Sequence, residues 1–116
     1  MENAYNETMF ILKKYNIGAN KSLGQNFLID DEVINTIVES ANVGKEDLII
    51  EIGPGLGTLT ARLLEKAGKV IAIELDKRMV SILNDRFSLY NNFELINDDV
   101  LKIDLKEMIY NRDNNL

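Results

Sequence analysis

The sequence predicts an α/β domain built on a doubly wound parallel sheet. Three short apolar runs, at residues 48–52, 69–75 and 93–96, have the length and composition of buried strands, and the first is apolar enough to be buried on both faces. Glycines at three alternate positions follow this first run and suit a tight turn into a helix. Segments of helical periodicity separate the runs, which implies parallel strands joined by right-handed crossovers.

One helix and a loop are predicted at the N-terminus. Residues 3–15 place Tyr5, Met9 and Leu12 on one face at helical spacing. Glycine, asparagine and serine then interrupt any periodicity over residues 16–27, which indicates a loop.

A second helix is predicted to begin after Asp30, because an aspartate is a favourable N-cap. Val43 and Gly44 are expected to end it. Its apolar stripe consists of Val33, Ile34, Ile37, Val38 and Ala41.

Further helices alternate with the strands. A helix over residues 58–67 is expected to stop at Gly68, Asp76 is expected to cap the next one, and residues 106–110 suit a short last helix. The predicted inward residues are Leu59, Leu63 and Leu64 in the first helix and Met79, Val80, Leu83 and Phe87 in the second.

Composition excludes several kinds of chemistry. A length of 116 residues suits one domain with a modest core. Cysteine and histidine are both absent, which excludes disulfides and thiolate metal sites and argues against zinc or a histidine base. We expect no metal site. The chain shows neither a signal-peptide pattern nor an apolar run that could span a bilayer, so a cytoplasmic location is expected.

Charge is distributed unevenly. The net charge of −6 argues against a free-standing nucleic-acid binder, because phosphate contacts require lysine and arginine. The segment 13–27 nevertheless holds three lysines and no acid, and it is either a solvated surface or a nucleic-acid contact. These lysines are Lys13, Lys14 and Lys21.

The glycine pattern is Gly53-x-Gly55-x-Gly57. A dinucleotide-binding fingerprint would require a glycine at position 58, where Thr58 stands, and the Gly-Lys-Ser/Thr ending of a phosphate-binding loop is missing. Glycine turns also occur for steric reasons alone, so the pattern by itself leaves the ligand open.

Acids at the strand ends narrow the choice of ligand. Glu74 stands 17 positions after Gly57, where a carboxylate can accept from both ribose hydroxyls; a solvated strand-end acid is the alternative. Asp99 follows the third strand, so Glu51 with Gly53, Glu74 and Asp99 are predicted to meet in one crevice. An anionic crevice disfavours a pyrophosphate and suits the sulfonium and ammonium groups of S-adenosylmethionine.

The chain resembles the ribosomal RNA adenine N6-dimethyltransferase family over residues 10–105. The likeness is greater to the small-subunit enzymes than to the large-subunit, erythromycin-resistance enzymes, whose glycine loop typically lacks the Gly-Pro-Gly-Leu-Gly form. It implies a Rossmann-like, S-adenosylmethionine-dependent methyltransferase fold, here its first half with three parallel strands. The matching segments are KSLGQNFL at 21–28, EIGPGLGTLT at 51–60, IELD at 73–76 and DDVLK at 98–102.

The resemblance implies a role for each matching residue. Asn26 and Leu28 would contact the methionine end of S-adenosylmethionine, with Gln25 beside them. Gly53 would lie against the cofactor through its backbone, helped by Gly55. Residues 1–29, an N-terminal helix and loop, would close over the site.

The resemblance also implies how the nucleoside and the RNA are bound. Glu74 would accept from the ribose hydroxyls, Asp99 would accept from the adenine amino group, and the Val100 amide would face the ring. The RNA contacts would come from Lys13, Lys14 and Lys21.

One family motif is not present in the 116 residues. The family handles the target adenine with Asn-Leu-Pro-Tyr after its fourth strand, and the single proline here is Pro54. We expect the family's C-terminal helical RNA-binding domain to lie outside these 116 residues as well. The chain is therefore expected to be inactive alone, with no catalytic residue of its own, and to self-associate through an exposed edge of strand 48–52.

Three functional classes remain in competition. The first is the cofactor-binding portion of an enzyme that dimethylates adjacent adenines near the 3′ end of small-subunit ribosomal RNA, with that RNA or the pre-30S particle as partner. The second is an S-adenosylmethionine-binding module without chemistry. The third is half of an NAD-dependent oxidoreductase, against which Thr58 and the Gln-Asn-Phe segment argue.

Overall fold

Three parallel strands form the centre of the fold in a computed structural model that describes residues 3–17 and 30–113. The strands are β1 (Leu48–Ile52), β2 (Lys69–Ile73) and β3 (Phe93–Ile96). The helices are α1 (Ala4–Lys14), α2 (Asp31–Ala41), α3 (Thr58–Lys66), α4 (Lys77–Phe87) and α5 (Leu105–Asp113), with a 3₁₀ turn at Val100–Lys102. Within the described ranges, none of these helices has the length and apolarity to cross a membrane.

The strand order is β1-β2-β3, with both pairs parallel. Ile71 of β2 pairs with Ile50 on one side and Glu94 on the other. Helices lie on both faces of the sheet: α3 and α4 share a core with Val70, and Met108 of α5 packs with Ile71 on the opposite face. The predicted parallel α/β sheet is confirmed.

The expected burial of β1 on both faces is wrong. Its first three residues are half-buried and Ile52 is 58% exposed. The reason is that β1 is an edge strand among the described strands, paired only with β2. The second strand ends at Ile73, two residues earlier than predicted, so that Glu74 and Leu75 follow the strand instead of belonging to it.

The first helix is present as predicted, but the spacing of its apolar residues does not identify its buried face. Tyr5 is 55% exposed and Met9 is 46% exposed, although Leu12 is buried as expected. The helix instead turns Glu7 toward two arginines of α3 and α4, and this rotates its buried face. That face consists of Ala4, Thr8, Ile11 and Leu12.

Helix α2 begins as predicted but buries a narrower stripe. The Asp30 carboxylate accepts from the backbone N–H groups of the first turn. Helix α2 packs against α3, and of the predicted stripe only Ile34 and Val38 are buried, while Val33 and Ile37 stay 44% and 40% exposed. The helix ends at Ala41, before a left-handed Asn42, and not at the predicted Val43 and Gly44.

The two helices between the strands match the prediction closely. Helix α3 ends at Lys66, one residue early, and the Asp76 side chain caps α4. Ile82 belongs to the buried face of α4 although periodicity did not single it out, while Leu59 and Val80 are only partly buried. The remaining predicted residues, Leu63, Leu64, Met79, Leu83 and Phe87, are buried.

Gly57 provides a test of how the glycine turn packs. Its φ is +89°, and a Cβ atom there would lie 2.6 Å from Cε2 of Phe87. We expect Gly57→Ala to lower the free energy of unfolding by about 2–4 kcal/mol, measured by urea denaturation, since left-handed strain and overpacking add.

Gly53→Ala is the matched control. Gly53 has a φ of +68° but open space around its Cβ position, so only the conformational cost of about 1–2 kcal/mol applies. Equal losses in the two variants would show that the contact with Phe87 does not constrain the turn.

Candidate functional site

The carboxyl ends of the three strands enclose a pocket of about 170 Å³. It brings together four of the predicted site residues from three separate segments of the chain. The other four lining residues were not predicted, although their position at the strand ends could have indicated them: Ile52, Ile73, Leu75 and Asp98. The lining residues are Ile52, Gly53, Ile73, Glu74, Leu75, Asp98, Asp99 and Val100.

The glycine turn is attached to the end of β2 by its backbone. The Gly53 N–H donates to the Ile73 carbonyl at 2.9 Å, and the Gly55 N–H donates to Oε1 of Glu74 at 3.2 Å. Gly53, Gly55 and Gly57 all have positive φ, a conformation that glycine adopts without steric cost. The alternate glycines thus let the turn follow the neighbouring strand closely.

Glu74 lies at the centre of the hydrogen bonds around the pocket. Its second oxygen, Oε2, accepts from the Asp76 N–H at 3.0 Å, so the carboxylate connects the glycine turn with the start of α4. The Asn97 amide donates to the Glu74 carbonyl at 2.8 Å, which ties the same residue to the end of β3. A carboxylate has about four acceptor positions, so two backbone donors leave it able to accept from a ligand.

Asp99 begins the 3₁₀ turn at the other wall of the pocket. Its Oδ1 accepts from the Leu101 N–H at 2.9 Å, and its own N–H donates to Asp98 at 2.7 Å. These bonds hold the half-buried Asp99 and Val100 at the pocket, with the Val100 backbone inside the turn.

The expectation that Glu51 meets the other acids in the crevice is wrong. Glu51 does not line the pocket; it is 9% exposed and accepts a hydrogen bond of 2.5 Å from the Thr60 hydroxyl of α3. Side chains alternate along a strand, and Glu51 shares the α3 side of the sheet with Ile49. Burial raises the pKa of Glu51 to about 7, against the lowering effect of Thr60 and with a further rise from the charge of Glu74.

The described lysines lie away from this pocket. Lys13 is exposed on α1, and Lys14 Nζ lies 3.6 Å from Asp85 and over the Tyr15 ring. Neither lines the strand-end pocket. The other predicted contacts fall outside the described residues: Lys21, Gln25, Asn26 and Leu28.

A family model and a curated relative that match this chain are both named for methylation of ribosomal RNA. A family model described as ribosomal RNA adenine dimethylase matches residues 16–116. Ribosomal RNA small subunit methyltransferase A of Clostridium botulinum is 53% identical over 106 residues, which are 91% of this chain and 38% of that relative. The chain thus spans little more than a third of the relative's length.

Solved structures confirm the Rossmann-like methyltransferase fold. A dimethyladenosine transferase from Plasmodium falciparum matches with a TM-score of 0.63 and 36% identity, over 67% of this chain and 29% of that one. An RNA methyltransferase from Salinibacter ruber, solved in complex with S-adenosyl-L-homocysteine, matches with a TM-score of 0.61 and 21% identity, over 70% of this chain and 56% of that one.

The buried Glu51 makes stability depend on pH. Below its ordinary pKa the carboxyl is protonated in both folded and unfolded chains. Between about pH 4.5 and 7 it ionises only in the unfolded chain, so the folded state loses stability as the pH rises through this window. The full loss amounts to about 3 kcal/mol, from the pKa rise of 4.5 to about 7.

Glu51→Gln removes this titration and keeps the acceptor for Thr60. In urea denaturation we expect the variant to gain stability over the wild-type chain as the pH rises from 4.5 to 7. A difference between the two chains that stays constant over this range would show that Glu51 is ionised in the folded protein.

Proposed function

Because this chain belongs to the ribosomal RNA adenine dimethylase family, we propose that it forms the S-adenosylmethionine-binding part of an enzyme that dimethylates adenines of ribosomal RNA. One observation carries the proposal: Gly53, Glu74 and Asp99, which are distant in sequence, line one pocket at the carboxyl ends of the strands. The activity itself belongs to the whole enzyme, since the chain spans 38% of its curated relative.

The residues around the pocket suit S-adenosylmethionine. Its described lining holds three carboxylates and neither lysine nor arginine, which favours a sulfonium and an ammonium group over a pyrophosphate. Glu74 would accept from the ribose hydroxyls, Asp99 from the adenine amino group, and the Gly53 backbone would lie against the methionine end. Ile52 and Leu75, 58% and 66% exposed, offer apolar surface for the flat face of the adenine.

The role of these residues in the reaction is to bind and orient. When bound, S-adenosylmethionine supplies an electrophilic methyl group. In-line transfer requires the acceptor nitrogen to be aligned with the bond between the methyl carbon and the sulfur. A pocket lined by fixed backbone and carboxylates restricts the motion of the bound cofactor and so favours this alignment. The 116 residues contain one proline, Pro54, so the family's Asn-Leu-Pro-Tyr acceptors for the adenine amino group are not among them.

The RNA partner is proposed to be small-subunit ribosomal RNA, within the pre-30S particle of the cytoplasm. The name of the relative that shares 53% identity supports the small subunit over the large one. Residues 1–29 would close over the cofactor, with the segment from Gln25 to Leu28 at its methionine end. Lys13, Lys14 and Lys21 would contact RNA, although Lys14 already pairs with Asp85.

Cofactor binding tests the proposal. By isothermal titration calorimetry we expect the 116-residue chain to bind S-adenosylmethionine in preference to NAD. Glu74→Ala and Asp99→Ala should each weaken binding at least about tenfold, because a hydrogen bond to a charged group contributes roughly 1.5–3 kcal/mol. The matched control is Glu46→Ala, which removes an exposed carboxylate outside the pocket. Tighter binding of NAD, or equal affinity in all variants, would contradict the proposal.

We also propose that the 116-residue chain self-associates through β1. Among the described strands β1 is paired on one side only, and an apolar edge favours pairing with another chain. We expect analytical ultracentrifugation to show dimers or larger species as concentration rises. Ile52→Lys should shift the distribution toward monomer, whereas Leu89→Lys, at a residue 98% exposed elsewhere, should not. A monomer at every concentration would refute the idea.

A further inference from the structure

The carboxylate of Glu7, in the first turn of α1, lies between arginines from two other helices. One oxygen is 2.8 Å from Nη1 of Arg62 in α3, and the other is 2.5 Å from Nη2 of Arg86 in α4. The three side chains are largely buried, at 13%, 10% and 17% exposed. In such surroundings the loss of one partner leaves an uncompensated charge, which is strongly unfavourable.

Both arginines also donate to the backbone around the glycine turn. Nη1 of Arg86 donates to the carbonyl of Leu56, inside the turn itself. Nη1 of Arg62 donates to the carbonyl of Thr58, the first residue of α3, at 2.7 Å. The turn is therefore joined to Glu7 through a guanidinium that bonds to both.

A second contact fixes α1 in the orientation that this arrangement needs. The Asp31 carboxylate of α2 accepts from the Ala4 N–H at 2.9 and 3.1 Å and lies 3.8 Å from Nη2 of Arg62. The N-termini of α1 and α2 thus meet at the same arginine. An acid at the N-terminus of a helix is also favourable to the helix dipole.

Helix α1 contributes no residue to the strand-end pocket as described. The lining comes from segments 52–53, 73–75 and 98–100. An influence of α1 on these lining residues therefore passes through other residues, and the hydrogen-bonded route from Glu7 through Arg86 to Leu56 is such a path.

We propose that Glu7 and Arg86 are positioning residues, which set the backbone of the glycine turn and thereby the affinity of the pocket for S-adenosylmethionine. Docking of α1 holds the Arg86 guanidinium against the Leu56 carbonyl, and the turn then presents Gly53 and Gly55 to the ligand. The effect on affinity rests on the proposed cofactor site; the effect on the turn does not.

The test uses Glu7→Gln, which keeps the shape of the side chain and removes its charge. We expect backbone hydrogen exchange at Gly55 and Gly57 to become at least about tenfold faster, and the dissociation constant for S-adenosylmethionine to rise by a similar factor. Exchange in the β2 strand should accelerate by a smaller factor than exchange at the turn. Glu39→Gln, at an exposed glutamate of α2, is the control and should match the wild-type chain in both measurements.

Arg86→Met and the double variant Glu7→Gln/Arg86→Met complete the design. Residues that act through one another are non-additive, so the double variant should lose no more affinity than Arg86→Met alone. Additive losses would refute the coupling. Exchange that accelerates by the same factor in the sheet and at the turn in Glu7→Gln would show only a general loss of stability. Unchanged exchange at the turn would show that Glu7 does not position it. Both outcomes overturn the proposal.

The two proposals fail in distinguishable ways. If the wild-type chain binds no S-adenosylmethionine, the cofactor assignment is refuted, while the exchange rates at Gly55 and Gly57 still decide whether Glu7 positions the turn. If the wild-type chain binds and Glu7→Gln binds equally well, only the positioning role is refuted.

Discussion

The arrangement of the pocket depends on the Glu74 carboxylate, which accepts from two backbone N–H groups on either side of it. Gly55 donates from the glycine turn and Asp76 donates from the start of α4. Glu74 follows β2, the central strand, so these bonds attach the glycine turn and the start of α4 to the most buried strand of the sheet. Hydrogen bonds to a charged acceptor are stronger than neutral ones, and here they fix the backbone of the turn and of the α4 N-terminus beside the pocket.

Two glutamates near the strand ends have different surroundings, although both are largely buried, at 9% and 8% exposed. Glu51 points to the α3 side of the sheet, where burial raises its pKa to about 7 and the Thr60 hydroxyl is its hydrogen-bond partner. Glu74 keeps its contacts with backbone donors and lines the pocket. Glu51 lies within β1, where alternation turns it toward α3, whereas Glu74 follows Ile73, the last residue of β2, where the chain leaves the sheet. The acid that is useful to a ligand is therefore the one that leaves the strand at its end.

Much of this could be predicted from the sequence because the signals are local. Apolar runs located β1 and β3 to the residue, and the glycines with Glu74 and Asp99 indicated the pocket. The rest depends on tertiary context. The edge position of β1 decides how exposed Ile52 is, and no local pattern carries that information. Alternation along the strand would have given the direction of Glu51. The prediction placed it in the crevice because the strand ends converge there.

The face of α1 shows why hydrophobic spacing alone was insufficient. Tyr5 and Met9 have the right spacing for a core-facing stripe, yet they stay about half exposed. Turning them inward would rotate Glu7 away from Arg62 and Arg86 and leave two largely buried guanidinium groups without it. Removing a counter-charge from largely buried guanidinium groups costs more free energy than burying two further apolar side chains would gain. Partners 55 and 79 residues apart thus determine the orientation of the first helix, and through Arg86 the same contact reaches the glycine turn.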